Sequence, residues 1–389
     1  MKTILCSFIL SGFAALNLFS QAISDSCINA LSAFYDGSSC RFINLEGKIA
    51  FPGIFYYYQG FSEGLAAAKT GKSDINKFGY FNTKGIWVTK QIYDRTMPFH
   101  EGLAAVKVKD KWGYINKKGE YVIPLKFDQA LRFSEGLAIV RIGAFGLGKY
   151  GIIDKKGKWI VEPCFPSNTF PYENDMFDLI YFSNGIAPMY DGKKWGYINT
   201  SGKFVIQPQY DAVWQFSEGM AAVYSLVTTK EGIQDPVGFI DLEGKMVIEP
   251  RFTYSGLPWC YHFREGLAVI QVGNYSGMIN RKGENIIKPA YTHIGECHEG
   301  LIVFQENLDK SYGYMDNKGQ TVIKPQFHVA GYFANGIASV SITNPNSGGN
   351  EDFAFKSFFI MKNGEMYRED IFAILGGYGA FECPEKENY

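Results

Sequence analysis

A phrase of nine residues, Lys111-Trp112-Gly113-Tyr114-Ile115-Asn116-Lys117-Lys118-Gly119, returns along this chain in degenerate copies. Each copy leads into an apolar run with a Pro, an aromatic followed in most copies by Asp, and then a segment such as Phe133-Ser134-Glu135-Gly136-Leu137-Ala138. The glycines that close the second segment, from Gly64 to Gly336, lie 34 to 49 residues apart. Self-similarity at that period dictates a stacked architecture, because a unit this short cannot bury its apolar face alone.

Counting from the Gly of Trp-Gly, seven units start at Gly79, Gly113, Gly151, Gly196, Gly238, Gly277 and Gly313, each with a second Gly six residues on. Two degenerate units, with Arg41 and Phe358 at the first position, bring the count to nine. All nine carry an aromatic fourteen residues on, from Phe55 and Tyr93 to Phe327 and Phe372. So fixed an interval predicts a fixed hairpin: Tyr114-Ile115-Asn116 as a strand, Lys117-Lys118-Gly119 as a turn closed by a Gly at positive φ, and Tyr121-Val122-Ile123 as the return.

Asn or Asp three residues after the Gly of Trp-Gly, as in Asn116 or Asp154, is placed to accept a turn amide; Met361 is the exception. Pro at the end of the apolar run is expected to stop the return strand, since it brings no ladder donor. The third strand is Gly136-Leu137-Ala138-Ile139-Val140 and its equivalents.

The expected fold is therefore all-β: a tandem array of about nine three-stranded antiparallel units, open or curled into a superhelix, with a propeller-like ring as the alternative. Residues 23–372 hold the array and 373–389 read as a Gly-rich polar tail. Residues 1–22 read as a signal peptide, with Lys2, an apolar stretch from Ile4 to Phe19 and small residues near Ala22. Export to the periplasm, cell surface or exterior is the corresponding expectation, without an integral membrane span.

With 38 basic and 39 acidic side chains and no basic stripe, nucleic acid is a poor partner. The aromatic content of 16 % and the 43 glycines suit many short strands joined by tight turns.

The phrase at Lys111–Asn116 and its copy Lys194-Trp195-Gly196-Tyr197-Ile198-Asn199 resemble the bacterial WG-repeat family, whose units pair this motif with a Phe-x-Glu-Gly-Leu-Ala segment. Trp itself stands in the slot only at Trp112 and Trp195; Cys40, Phe78, Tyr150, Val237, Ser276, Tyr312 and Ser357 fill it elsewhere. The resemblance implies an all-β repeat array and no catalytic residues.

Glu63, Glu101, Glu135, Glu218, Glu265 and Glu299 recur like acids or bases, yet Asn29, Asn184 and Asn335 take the same slot. Asn accepts hydrogen bonds but exchanges no proton at neutral pH, so the slot calls for an acceptor of backbone amides. His100 and His298 stand where Ser134 and Ser217 stand, which reads as a tolerant surface position. Cys297, His298 and His293 form the densest group of metal-ligating types, but without metal-site spacing; no metal or cofactor is expected. Cys260 and Cys297, each preceding the Glu-Gly of neighbouring units, are a candidate disulfide.

Inserts interrupt the design at 166–181 and 253–261, and the loops at 71–77, 142–149, 225–236 and 342–357 are extended. The first insert presents Phe170, Tyr172, Asp175, Phe177 and Asp178, the candidate partner-binding residues. Clustered oxygen ligands there lack the Gly and spacing of a calcium loop. Such loops emerge on one edge of a stacked array and usually carry binding. The expected function is a non-catalytic exported binding or scaffold protein recognising a protein or envelope component; a glycan- or cell-wall-binding module is the alternative.

Overall fold

In a computed structural model, the protein is described at residues 31–35, 40–44, 50–52, 55, 57–71, 77–167, 180–225, 236–253, 260–307, 310–334, 336–343, 355–366 and 379–382. The strands among these residues form nine small sheets, every recorded pairing between strands being antiparallel. Two compact units divide the chain: Met1–Gln91 with Ser311–Met315 and Thr321–Tyr389, and Ile92–Lys310 with Asp316–Gln320.

The phrase folds as its residues require. Strand Lys111–Asn116 turns back into Tyr121–Phe127. Gly119, at φ 81°, donates its N–H to the Asn116 carbonyl at 2.9 Å. The Asn116 side-chain oxygen accepts from the N–H groups of Lys118 and Glu120 at 2.9 and 3.1 Å. Asp154, Asn199, Asp241, Asn280 and Asp316 repeat both bonds. Where Met361 breaks the pattern, Asn363 accepts from the Glu365 N–H at 3.0 Å instead.

The return strand does not stop at its Pro. Tyr121–Phe127 runs through Pro124, and its ladder against Lys111–Asn116 steps from Trp112↔Phe127 to Tyr114↔Ile123. Two residues on one strand thus face four on the other, and the surplus bulges toward Gly113. A Cβ on Gly113 would lie 2.6 Å from the Ile123 carbonyl oxygen. Equivalent Cβ atoms on Gly277 and Gly313 would meet the Ile287 and Ile323 oxygens at 2.6 and 2.7 Å. The Gly of Trp-Gly and the Pro are therefore one feature: Gly admits the bulge, and Pro occupies it because no ladder donor is needed there. The Trp slot faces the recurring aromatic across the ladder, as in Tyr150↔Phe165 and Val237↔Phe252, so any side chain that covers this ring serves.

The sheet is out of phase with the sequence repeat. Leu137–Ile142 pairs with the following Lys149–Asp154, Leu137 opposite Asp154. The chain leaves Phe127, passes Asp128, and enters the next sheet as the two-residue strand Gln129–Ala130, with Ala130 opposite Val140. Five of the nine sheets have four strands, one more than the three expected, the added strand being two residues long in four of them and His293–His298 in the fifth. In Leu103–Val106 both faces are covered, and Ala104 and Ala105 are small enough for sheets to close on either side. Met97, Trp112, Tyr114, Phe127, Phe133 and Ile153 share one such core. The buried Tyr114 hydroxyl donates to the Leu131 carbonyl at 2.7 Å, which satisfies its polar end.

Neighbouring hairpins stack through the turn glycines. A Cβ on Gly157 would lie 3.0 Å from Ile123, and those on Gly244 and Gly283 would lie 3.1 Å from Ile206 and Ile248. In the other unit Gly364 rests on Ile323 in the same way. This unit also holds a strand in the segment expected as tail: Gly379–Glu382 pairs with Leu31–Tyr35, Leu31 opposite Glu382. An edge that Leu31–Tyr35 would otherwise leave unpaired is thus covered.

Replacing Gly113 with Ala forces a methyl into the bulge and is expected to destabilise the fold by about 1–3 kcal/mol. A thermal melt of the purified variant checks this; an unchanged midpoint would show that the bulge does not require Gly.

Candidate functional site

The Glu-Gly turns carry the recurring polar chemistry. Ser134 and Leu137 exchange backbone hydrogen bonds at 2.9 and 3.1 Å around Glu135 and Gly136, whose φ values are 54° and 77°. Positive φ at both central residues makes this a type I′ hairpin turn, favoured by Asn and Gly and costly for Glu. Glu63, Glu101, Glu218, Glu265 and Glu299 adopt the same φ, as does Asn184.

What offsets the strain is a bond to the next turn. The Glu101 carboxylate accepts the Gly136 N–H at 3.0 Å, Glu135 that of Gly185 at 2.9 Å, and Glu218 that of Gly266 at 3.0 Å. Glu265 uses both oxygens, taking the N–H groups of Glu299 and Gly300 at 2.7 and 2.8 Å. The recurring carboxylates are therefore acceptors of backbone amides, as the Asn substitutions indicate. The preceding serine adds a parallel link: Ser134 and Ser217 donate to the carbonyls of Phe182 and Phe263 at 2.6 and 2.5 Å.

The histidines in the serine slot do not lie at a tolerant surface. His298 is 7 % exposed, and burial together with the Arg132 guanidinium pushes His100 down to about 3. Each meets an arginine of an adjacent turn, the following one for His100 and the preceding one for His298: Arg132 Nη1 lies 3.5 Å from His100 Nε2, and Arg264 Nη1 3.4 Å from His298 Nδ1. Arg132 also stacks on Tyr181, 3.6 Å from the ring centre. Only the fold brings an arginine to each histidine.

Around His298 the polar groups form a cluster. The ladder of His293–His298 slips between Ile294↔Phe304 and Cys297↔Ile302, and the bulge turns Glu296 toward Arg264 and His298. Arg264 Nε and His298 Nε2 lie 3.2 and 3.4 Å from a Glu296 oxygen. An Nδ1 that accepts from Arg264 leaves the proton on Nε2, facing Glu296. Burial opposes ionisation of Glu296, but the His298 hydrogen bond and the charges of Arg264 and His262 hold its carboxyl below the usual range.

Cys297 lies beside this cluster and donates its thiol to Glu265 at 3.3 Å. Burial and the Glu265 carboxylate push it up to about 12, which keeps it protonated and unreactive. The expected bond between Cys260 and Cys297 is not formed; both are buried, and Cys297 faces the carboxylate instead. His293, pushed down to about 4 by burial, belongs to the same strand. Among the described residues no three His, Cys, Asp or Glu side chains are placed to hold a metal ion. Phe170, Tyr172, Asp175, Phe177 and Asp178 lie outside the described residues.

His100 predicts a pH dependence. Its folded value lies below the unfolded one of about 6.5, so the unfolded chain binds the extra proton and stability falls as pH drops from 6.5 toward 3. His100→Ser, which restores the residue of sister turns, should flatten this acid limb in melts taken between pH 7 and 4. An identical pH profile would remove His100 as its source.

A family model described as a WG containing repeat matches eight segments, 41–72, 78–112, 112–144, 150–195, 195–224, 238–275, 277–307 and 312–344. No curated protein matches the chain in sequence. Solved structures similar to it include the dihydro-heme d1 dehydrogenase NirN in complex with DHE, at 11 % identity and TM-score 0.42, covering 94 % of this chain and 75 % of that one. The β-propeller domain of the Trilobed protease from Pyrococcus furiosus is similar at 10 % identity and TM-score 0.37, covering 81 % and 98 %. The WD40 domain of Pan2 from Neurospora crassa is similar at 14 % identity and TM-score 0.33, covering 72 % and 83 %. With its repeat model matched over well more than half of the sequence, the chain belongs to the WG-repeat family.

Proposed function

We propose that this protein is an exported, non-catalytic binding or scaffold protein that recognises a protein or cell-envelope component through the inserts between its repeats. The observation that carries this reading is the engagement of the repeated carboxylates: Glu101, Glu135, Glu218 and Glu265 each accept a backbone N–H from a neighbouring turn. A carboxylate so engaged holds neighbouring turns in register. The repeated part of the chain is thereby accounted for as scaffold. Individuality lies in the segments that break the period, chiefly 166–181 and 225–236, and the first brings Phe170, Tyr172, Asp175, Phe177 and Asp178 together in sequence. Aromatic side chains mixed with a few carboxylates suit a protein surface, where large rigid rings supply contact area at small entropic cost. The apolar stretch between Ile4 and Phe19 after Lys2 supports the export part of this reading.

Deleting 166–181 and 225–236 should abolish capture of the partner from envelope and secreted fractions and leave the circular-dichroism melt intact. Undiminished capture would sink the insert reading. Retention of the chain on purified peptidoglycan or a glycan array in place of protein would redirect the reading to a glycan ligand.

A further inference from the structure

The chain of carboxylate-to-amide links has one gap within the unit Ile92–Lys310. Gly136, Gly185, Gly266 and Gly300 each place their N–H on a glutamate of the preceding turn. The turn before Gly219 carries Asn184 instead, at the same positive φ of 55°. Asn is one methylene shorter than Glu, and its Nδ2 is directed at its own neighbour, Ser183 Oγ, at 3.0 Å. Among the described residues nothing accepts the N–H of Gly219.

A cation stands over the same gap. Arg281 Nη2 lies 3.5 Å from where a Cβ on Gly219 would be, and it has no ion-pair partner among the described residues. The Glu218 carboxylate makes no ion pair with it and instead accepts the Gly266 N–H at 3.0 Å. The complete form of this arrangement occurs at Gly136: the Glu101 carboxylate sits on the Gly136 N–H at 3.0 Å and meets Lys155 Nζ at 3.0 Å. Amide, cation and carboxylate are all present there, whereas at Gly219 the carboxylate is missing.

A buried side chain beside the turn supports the same conclusion. Gln215 is 4 % exposed, and neither its side-chain oxygen nor its nitrogen has a hydrogen-bond partner. An unsatisfied buried amide costs about 1–3 kcal/mol per group, so it calls for a partner. Gln215 stands four residues before Gly219, as Arg132 stands four before Gly136. Arg132 reaches back to the slot of the preceding turn, 3.5 Å from His100. Gln215 holds the equivalent position in the turn that follows Asn184.

We infer that the Asn184–Gly219 junction is a binding site for a ligand carboxylate, which takes the place of the glutamate side chain absent from this turn. Its oxygens accept the N–H groups of Glu218 and Gly219, as Glu265 accepts those of Glu299 and Gly300 at 2.7 and 2.8 Å, and Arg281 supplies the countercharge. The sister junctions themselves show that the pair of turn amides fits a carboxylate. The ligand is a free organic acid or an acidic side chain of a peptide. The inference does not rest on the inserts and stands or falls separately from them.

The test uses the full-length chain, 15N-labelled, with the Gly219 amide resonance as readout. Sodium acetate is one probe; the other is a flexible peptide with blocked ends and a single Glu, set against its Gln counterpart at equal ionic strength. A saturable shift of Gly219 with acetate or the Glu peptide, absent with the Gln peptide, is expected. Tighter binding of the peptide assigns a protein source, and equal binding a free acid. Arg281→Gln should weaken binding about tenfold, the loss of one charge-assisted partner. Asn184→Glu should abolish it and raise the melting midpoint, because the missing carboxylate is then supplied within the chain. A linear, non-saturating shift with both probes would overturn the site. So would undiminished binding in Arg281→Gln, a variant of an exposed side chain that remains decisive even if Asn184→Glu does not fold.

Discussion

The hydrogen bond from a turn N–H to the carboxylate of the preceding turn is the interaction on which the described structure depends. Each Glu-Gly turn holds a glutamate at φ near 50°, a conformation that costs an L-residue about 1 kcal/mol or more. A charge-assisted bond to an amide of the next turn is worth about as much or more, so strain within one unit is relieved only by its neighbour. Units made this way are incomplete alone. The turn glycines add the same dependence by sterics, since Gly157, Gly244 and Gly283 leave just enough space for the branched side chain of the unit before.

A framework of identical links makes departures informative. Where Ser becomes His, an arginine of an adjacent turn lies against the ring, Arg132 at His100 and Arg264 at His298. At His298 the strand bulges and presents Glu296, so a serine-to-carbonyl link is exchanged for a half-buried ionic cluster. Such a cluster costs desolvation that a serine hydroxyl does not. Where Glu becomes Asn184, the link is open and a cation remains above it. The repeat supplies rigidity, and its exceptions supply chemistry.

Much of this was legible in the residues. The hairpin, the amide-accepting Asn or Asp, the Gly at positive φ and the acceptor role of the glutamates follow from local stereochemistry and from which substitutions each slot tolerates. Pro124 misled for a reason that a single strand cannot reveal. Whether a residue without a donor ends a strand or sits in its bulge depends on the partner, and Gly113 is that partner. The slot of His100 and His298 misled in the same way, because Ser at sister positions suggests solvent whereas those serines reach across to a neighbour's carbonyl. The Cys260–Cys297 pairing failed because spacing along the chain says nothing of where a thiol points.

By itself the sequence determined the repeat, its strands and its turns, since these depend on interactions between residues a few positions apart. Tertiary structure decided the phase of the sheets, which join the end of one sequence repeat to the start of the next through pairs such as Leu137 and Asp154. It also brought Gly379–Glu382 to Leu31–Tyr35, Arg264 to Glu296, and Arg281 to Gly219. These partners lie between about 17 and 350 residues apart, and no local preference encodes a contact over that separation. Only the packing of completed sheets sets which side chains meet.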